Sequence, residues 1–282
     1  MPSRLRNAVS AALIALACLL LPFGALAAWA SYGLADTGRY VTTMAPLAAD
    51  PAVRDAVADT VGDGIVHEVN VDPPMRPFVQ DAVRSFTRTD AFRTAWDAGN
   101  RAVHDAVLRA VRNDDTGAVT VDLAPVAAEV RTQLVHDNVP LAHRIPVEHT
   151  EVAVLPPGDL AQLRKGFQLL EVAGFWLPVT AAVLAVAGIA LAACRRRAVT
   201  ATALGTALGG ALLGLAVAIG RRLTLTDLPE QVHRPAAGAV YDALTATLRT
   251  VSWLLVAVGL TVALGTWLLS RHRQPSAPSS RL

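Results

Sequence analysis

Three side chains in the stretch FRTAWDAGNRAVHDAVLRAV (Phe92–Val111) follow one another at four-residue spacing: Trp96, Asn100 and His104. On a helix that spacing stacks them along one face. An indole N–H, a carboxamide and an imidazole in a row can hold a ligand or a partner by hydrogen bonds and stacking. They can equally clamp one helix to another, because a half-buried Asn without partners costs about 1–3 kcal/mol and a neighbouring helix supplies them as well as a ligand does. Both readings stand at this level.

Other chemistry is thin. His136, His143 and His149 lie seven and six residues apart, with Glu148 and Glu151 nearby, so no pair has the i, i+3 or i+4 spacing that puts two metal ligands on one helical face. His67-Glu68 lacks the second histidine of a zinc-binding HExxH helix. There is no GxSxG elbow, and both cysteines, Cys18 and Cys194, fall in or beside apolar runs. Gly62-Asp63-Gly64 reads as a helix end, since no Walker or dinucleotide pattern surrounds it. We expect no metal, no cofactor and no catalytic residue.

The same stretch carries Arg93, Asp97, Arg101, Asp105 and Arg109, alternating in sign every four residues on the side away from Phe92, Trp96, Val103 and Val107. Four such pairs would add about 1–2 kcal/mol to the helix. We expect a solvated, self-neutralising face with little pull on a charged partner.

The elements around this helix follow from periodicity. Asp50-Pro51 is a helix start, followed by the stripe Val53, Val57, Val61 and Ile65. After Pro73, Pro74 and Pro77, Val79, Val83 and Phe86 mark a second helix, and Thr89 or Asp90 can cap the third, which a loop at Asp114–Gly117 ends. VTVDL and TEVAVL read as two short strands that can pair, with the helix of Val126, Val130 and Leu134 between them. Leu160, Leu163, Phe167 and Leu170 form a further stripe.

That polar region is bracketed by membrane. A spanning helix needs about 20 apolar residues, and four uncharged segments qualify: 8–30, 172–193, 199–219 and 251–269. Arg4 and Arg6, Arg195–Arg197, and Arg271 and Arg273 flank them so that both termini fall on the cytoplasmic side of the plasma membrane. Arg164, Lys165, Arg221 and Arg222 argue the other way but are outweighed. ALAC at Cys18 and ALA at residues 25–27 resemble cleavage boxes. The unbroken apolar run past Cys18 favours an uncleaved anchor.

No ionisable residue lies inside the spans, which argues against an ion-coupled carrier. Gly205 and Gly209, then Gly210 and Gly214, are two small-xxx-small pairs that allow close helix approach, within the chain or to another copy, so a homo-oligomer stays open. The expected organisation is an anchor at 1–30, an extracytoplasmic helix-rich α+β domain at 31–171, a three-span bundle at 172–270 with an outer loop at 220–250, and a cytoplasmic tail at 271–282. In that loop Val240, Leu244 and Leu248 predict a helix lying on the domain or on the membrane surface. The outward region, Ser31–Lys165, holds 19 acidic and 13 basic residues although the whole chain has a net charge of +2. A partition of charge by compartment suits that topology, whereas nucleic acid would need a concentrated basic face.

DTGRYVTTMAPLAADPAVRDAVADTV (Asp36–Val61), AFRTAWDAGNRAVHDAV, VTVDLAPVAAEVR and AAGAVYDALTATLRT together resemble a family of uncharacterised actinobacterial integral membrane proteins. The most specific parts are the DTxRYV-like opening and the W-x-x-x-N-x-x-x-H row. The resemblance implies a short amino-terminal span, an outward domain and three later spans, and it transfers no activity. The resulting expectation is a mostly α, non-enzymatic membrane protein whose outward domain binds an envelope component or a partner membrane protein. The alternative is an accessory, small-molecule- or lipid-binding subunit of a transport system.

Overall fold

The computed structural model describes residues 3–68, 72–113, 119–122, 124–136, 151–155, 157–227 and 233–271. Among them four helices are long and apolar enough to cross a membrane: Arg4–Leu34, Gln162–Leu191, Arg195–Thr226 and Arg234–Leu269. The protein is therefore a mostly α-helical, multi-pass membrane protein. The chain divides into two units. One comprises Met1–Ser31, Leu170–Gly220 and Ala246–Leu282, and the other Tyr32–Leu169 with Arg221–Thr245.

The first unit holds most of α1 (Ser3–Trp29, extended by a π-helical turn at Ala30–Leu34) and the apolar lengths of α7 (Pro157–Leu191), α8 (Arg195–Thr226) and α9 (Arg234–Arg271). Each helix is longer than its apolar run in sequence, because polar flanking residues continue the same hydrogen-bonded coil. Large apolar side chains such as Val172, Val183, Leu208 and Trp253 point outward, as lipid-facing residues do.

Small residues make the seams. The pair Gly205 and Gly209 faces α1: a Cβ on Gly205 would collide with the Cys18 thiol, and one on Gly209 would lie 3.2 Å from Leu21. The pair Gly210 and Gly214 faces α9, where a Cβ on Gly210 would stand 2.9 Å from the Ser252 carbonyl oxygen. The Ser252 hydroxyl donates to Gly210 O at 2.8 Å, and Ser10 donates likewise to Gly188 O at 2.6 Å. Both glycine pairs are thus used within one chain, each against a different helix.

The second unit contains α2 (Thr37–Met44), α3 (Pro51–Glu68), α4 (Arg76–Phe86), α5 (Asp90–Arg112), β1 (Val119–Asp122), α6 (Ala124–His136) and β2 (Glu151–Leu155). Local chemistry sets the starts. The Asp36 carboxylate accepts from Arg39 N–H at 2.8 Å, Asp50 from Ala52 at 2.9 Å, and the Thr89 hydroxyl from Phe92 at 3.2 Å. The strands pair antiparallel, Thr120 opposite Ala153 and Asp122 opposite Glu151. Gly62-Asp63-Gly64 does not end a helix: α3 runs on to Glu68, because its Val53–Ile65 stripe continues and α4 lies alongside, where a Cβ on Gly62 would stand 3.5 Å from Gln80.

Two cores hold this unit. Ala106, Ala110 and Val111 of α5 close with Val119, Val121 and Leu160. Met44, Leu47 and Val53 form the other, against which Ala236, Val240 and Leu244 of α9 pack. The first turns of α9, which fall in the outer loop expected at 220–250, are therefore laid on the α2–α3 core. Arg221 adds a fork to Asp242 through Nε at 2.9 Å and Nη2 at 3.2 Å. The loop expected at Asp114–Gly117, His143, Glu148, His149 and the tail from residue 272 lie outside the described residues.

Candidate functional site

Two cavities of the second unit are built on α5. Its carboxyl end is held by the Arg164 guanidinium, which donates to Ala110 O at 3.1 Å and to Val111 O at 3.4 Å, where the helix dipole favours a cation. Arg112 reaches Ala35 O at 3.3 Å and lies over the Phe167 ring at 5.6 Å. The helix is fixed at both ends, so its faces are well placed.

The row of sequence interest is divided in use. Trp96 donates its indole N–H to Met44 O at 2.9 Å. His104 bridges two groups: Nε2 stands 2.9 Å from Leu34 O and Nδ1 stands 3.1 Å from the Thr37 hydroxyl. Its ring stacks on Tyr40 at 4.3 Å between centroids. Because a carbonyl only accepts, Nε2 carries a proton. The Thr37 hydroxyl also lies 2.6 Å from Asp105 Oδ1, to which it donates. With a neutral imidazole its one proton serves two acceptors, and with an imidazolium all three contacts are hydrogen bonds. Trp96 and His104 are thus a clamp from α5 to the 34–44 segment. Asn100 differs: its amide N–H donates only to Trp96 O of its own helix, at 2.8 Å.

Beside this clamp lies a cavity of about 540 Å3. Val57 and Val61 of α3, Val83 and Phe86 of α4, and Phe92, Val103 and Val107 of α5 form apolar walls. Tyr40, Asn100 and His104 supply the polar edge, and Gly99 leaves part of the α5 wall without a side chain. Burial pushes the Tyr40 phenol above its ordinary range.

The opposite face of α5 is exposed at Arg93, Arg101 and Arg109, as the alternating ladder suggests, and half-buried at Asp97 and Asp105. Helix α6 and strand β1 flank it, and an open cavity of about 680 Å3 is lined by Asp97, Arg101, Asp105, Arg109, Asp122 and Glu129. The ladder's ion pairs do not form within 4.0 Å. Arg93 turns instead to Asp90 at 2.8 Å, and Asp105 is engaged by Thr37. Asp97 Oδ1 is buried without a hydrogen-bond partner. Burial pushes its carboxyl above the usual carboxylate range, with the Arg101 charge pulling the other way.

No group of three or more His, Cys, Asp or Glu side chains that could hold a metal occurs among the described residues. Sequence spacing singled out Trp96, Asn100 and His104 but missed Thr37, Tyr40 and Gly99. Thr37 and Tyr40 were in view as part of the DTxRYV opening, and the structure brings that opening onto the W-x-x-x-N-x-x-x-H row. Comparisons with protein-family models, with curated proteins and with solved structures find no match to the chain.

Proposed function

We propose that the protein is a non-enzymatic, multi-pass protein of the plasma membrane, with both termini cytoplasmic, whose extracytoplasmic helix-rich α+β domain binds a component of the cell envelope. The orientation rests on the arginines flanking the spans, and membership of the actinobacterial family it resembles belongs to the same reading. The observation that carries the binding role is the apolar cavity on α5. Its volume falls within the range of about 300–1,000 Å3 common to small-molecule sites, and a few polar groups sit at its edge, as such sites require. Binding without catalysis is the economical reading, because this cavity sets no nucleophile beside a base.

A second reading favoured by the same polar edge is an accessory, small-molecule-binding unit of a transport system, in which Tyr40, Asn100 and His104 orient a solute. Mass spectrometry of the protein released gently from its native membrane tests the pair. A stoichiometric small molecule retained by the protein is the expected outcome. A stoichiometric protein companion with no retained molecule would instead make the chain a scaffold or subunit.

A further inference from the structure

We infer that the α5 cavity takes one alkyl chain of a membrane phospholipid, with an uncharged oxygen of the lipid's linkage region set between the Tyr40 hydroxyl and the Asn100 amide. This rests on the reading of the cavity as a binding site for an envelope component and names the class of that component.

The lining selects by exclusion. Valine and phenylalanine side chains make its walls, and the ionisable groups that reach it are Tyr40 and His104. Both nitrogens of His104 already face Leu34 and Thr37. A charged group entering the cavity would lose water and meet no free counter-charge, at a penalty of several kcal/mol. An alkyl chain carries no such penalty and buries its methylenes at about 0.8 kcal/mol each.

Two groups at the edge retain hydrogen-bonding capacity. The Tyr40 hydroxyl has no partner among the described residues, and Asn100 uses its amide N–H groups only toward Trp96 O. Together they can donate to an ester carbonyl or accept from a glycerol hydroxyl. The wall beneath is open at Gly99, where an added Cβ would meet nothing within 4 Å. A mid-helix glycine destabilises by about 1 kcal/mol relative to alanine, and at this position it widens the cavity.

Chain connectivity points to a bilayer lipid over a dissolved apolar solute. The first helix long and apolar enough to span runs to Leu34, whose carbonyl is the partner of His104. Tyr40, on the cavity wall, follows six residues later.

The test uses the full-length protein in nanodiscs of phosphatidylglycerol, a fraction of which carries a diazirine midway along one acyl chain. A parallel sample receives a diazirine fatty acid in unlabelled lipid. After irradiation, adducts are mapped by peptide mass spectrometry. The phospholipid probe should label cavity residues such as Val61 and Val103. Gly99→Leu, which fills the open wall, should cut that labelling by at least about tenfold, equivalent to about 1.4 kcal/mol. Adducts on 251–269 serve as the internal control and should persist, as should the helical circular dichroism. Adducts confined to the spanning helices, or equal cavity labelling in Gly99→Leu, would overturn the inference. Cavity labelling by the fatty acid alone would overturn the phospholipid source. An unlabelled cavity in a protein that still retains some other stoichiometric molecule defeats this inference and leaves the envelope-binding reading standing, whereas an unlabelled cavity with nothing retained defeats both.

Discussion

The two faces of α5 carry polar groups at the same four-residue spacing and put them to different use. On one face Trp96 and His104 reach across to main-chain carbonyls 52 and 70 residues away. Their polarity is consumed in structure, and an apolar cavity lies beside them. On the other face Asp97, Arg101, Asp105 and Arg109 alternate in sign, yet they do not pair with one another: the arginines stay exposed and Asp105 turns to Thr37. Spacing along a helix therefore says which groups share a face. Which of them find partners is decided by the elements that arrive on that face.

The comparison breaks most sharply at the clamp. Trp96→Ala should cost about 3 kcal/mol in thermal or denaturant unfolding, through lost packing and an unpaired Met44 carbonyl. His104→Ala should cost about 2 kcal/mol, since Leu34 and Thr37 lose partners together and Tyr40 loses its stacked ring. If either variant unfolds like the wild type, the contacts of this face are ornamental.

A smaller effect of opposite signs is expected at two glycines. Gly210→Ala should lower stability by about 1–3 kcal/mol, because its Cβ would press on the Ser252 backbone. Gly99→Ala should raise it by about 0.5–1 kcal/mol, because its Cβ enters open space. Melting curves of the two proteins in one detergent give the comparison directly.

The charged face should respond to pH. A carboxyl whose folded-state value is raised favours folding while protonated. That contribution is complete below the unfolded value, near pH 4, and is lost as pH rises through the raised folded value of Asp97. Asp97→Asn should remove this component and melt higher than the wild type at pH 7, about 2–4 °C for each kcal/mol gained. An unchanged pH profile would show that Asp97 is effectively solvated. Arg101→Ala is the mildest change, expected within about 0.5 kcal/mol, since no close ion pair is lost.

Much of this architecture was legible in the sequence. Apolar runs located the four spanning helices, and 3.6-residue stripes located α3, α4, α5 and α6, because both signals are local. The outcome at Gly62-Asp63-Gly64 was not legible: glycines punctuate a free chain, but the valine stripe and the neighbouring α4 carry the helix through them. Nor could the ladder reveal that α6 docks beside it, since α6 begins twelve residues after α5 ends and its docking face is a tertiary choice. Half of the candidate site was visible as the Trp96, Asn100 and His104 row. The other half, Thr37 and Tyr40, lies more than 55 residues earlier, and only folding brings it to His104.

The proposed binding role requires the apolar cavity to be occupied. The most direct measurement is the melting temperature of delipidated wild-type protein and of Gly99→Leu as dispersed phosphatidylglycerol is added. A ligand that binds only the folded state stabilises it by about 2.7 kcal/mol at a hundred times its dissociation constant. The spanning helices respond to lipid equally in both proteins, so the difference between them isolates the cavity. The wild type should gain more than the variant, by several degrees. Superimposable titrations would contradict the account, because the space beside Trp96, Asn100 and His104 would then hold nothing that matters to the fold.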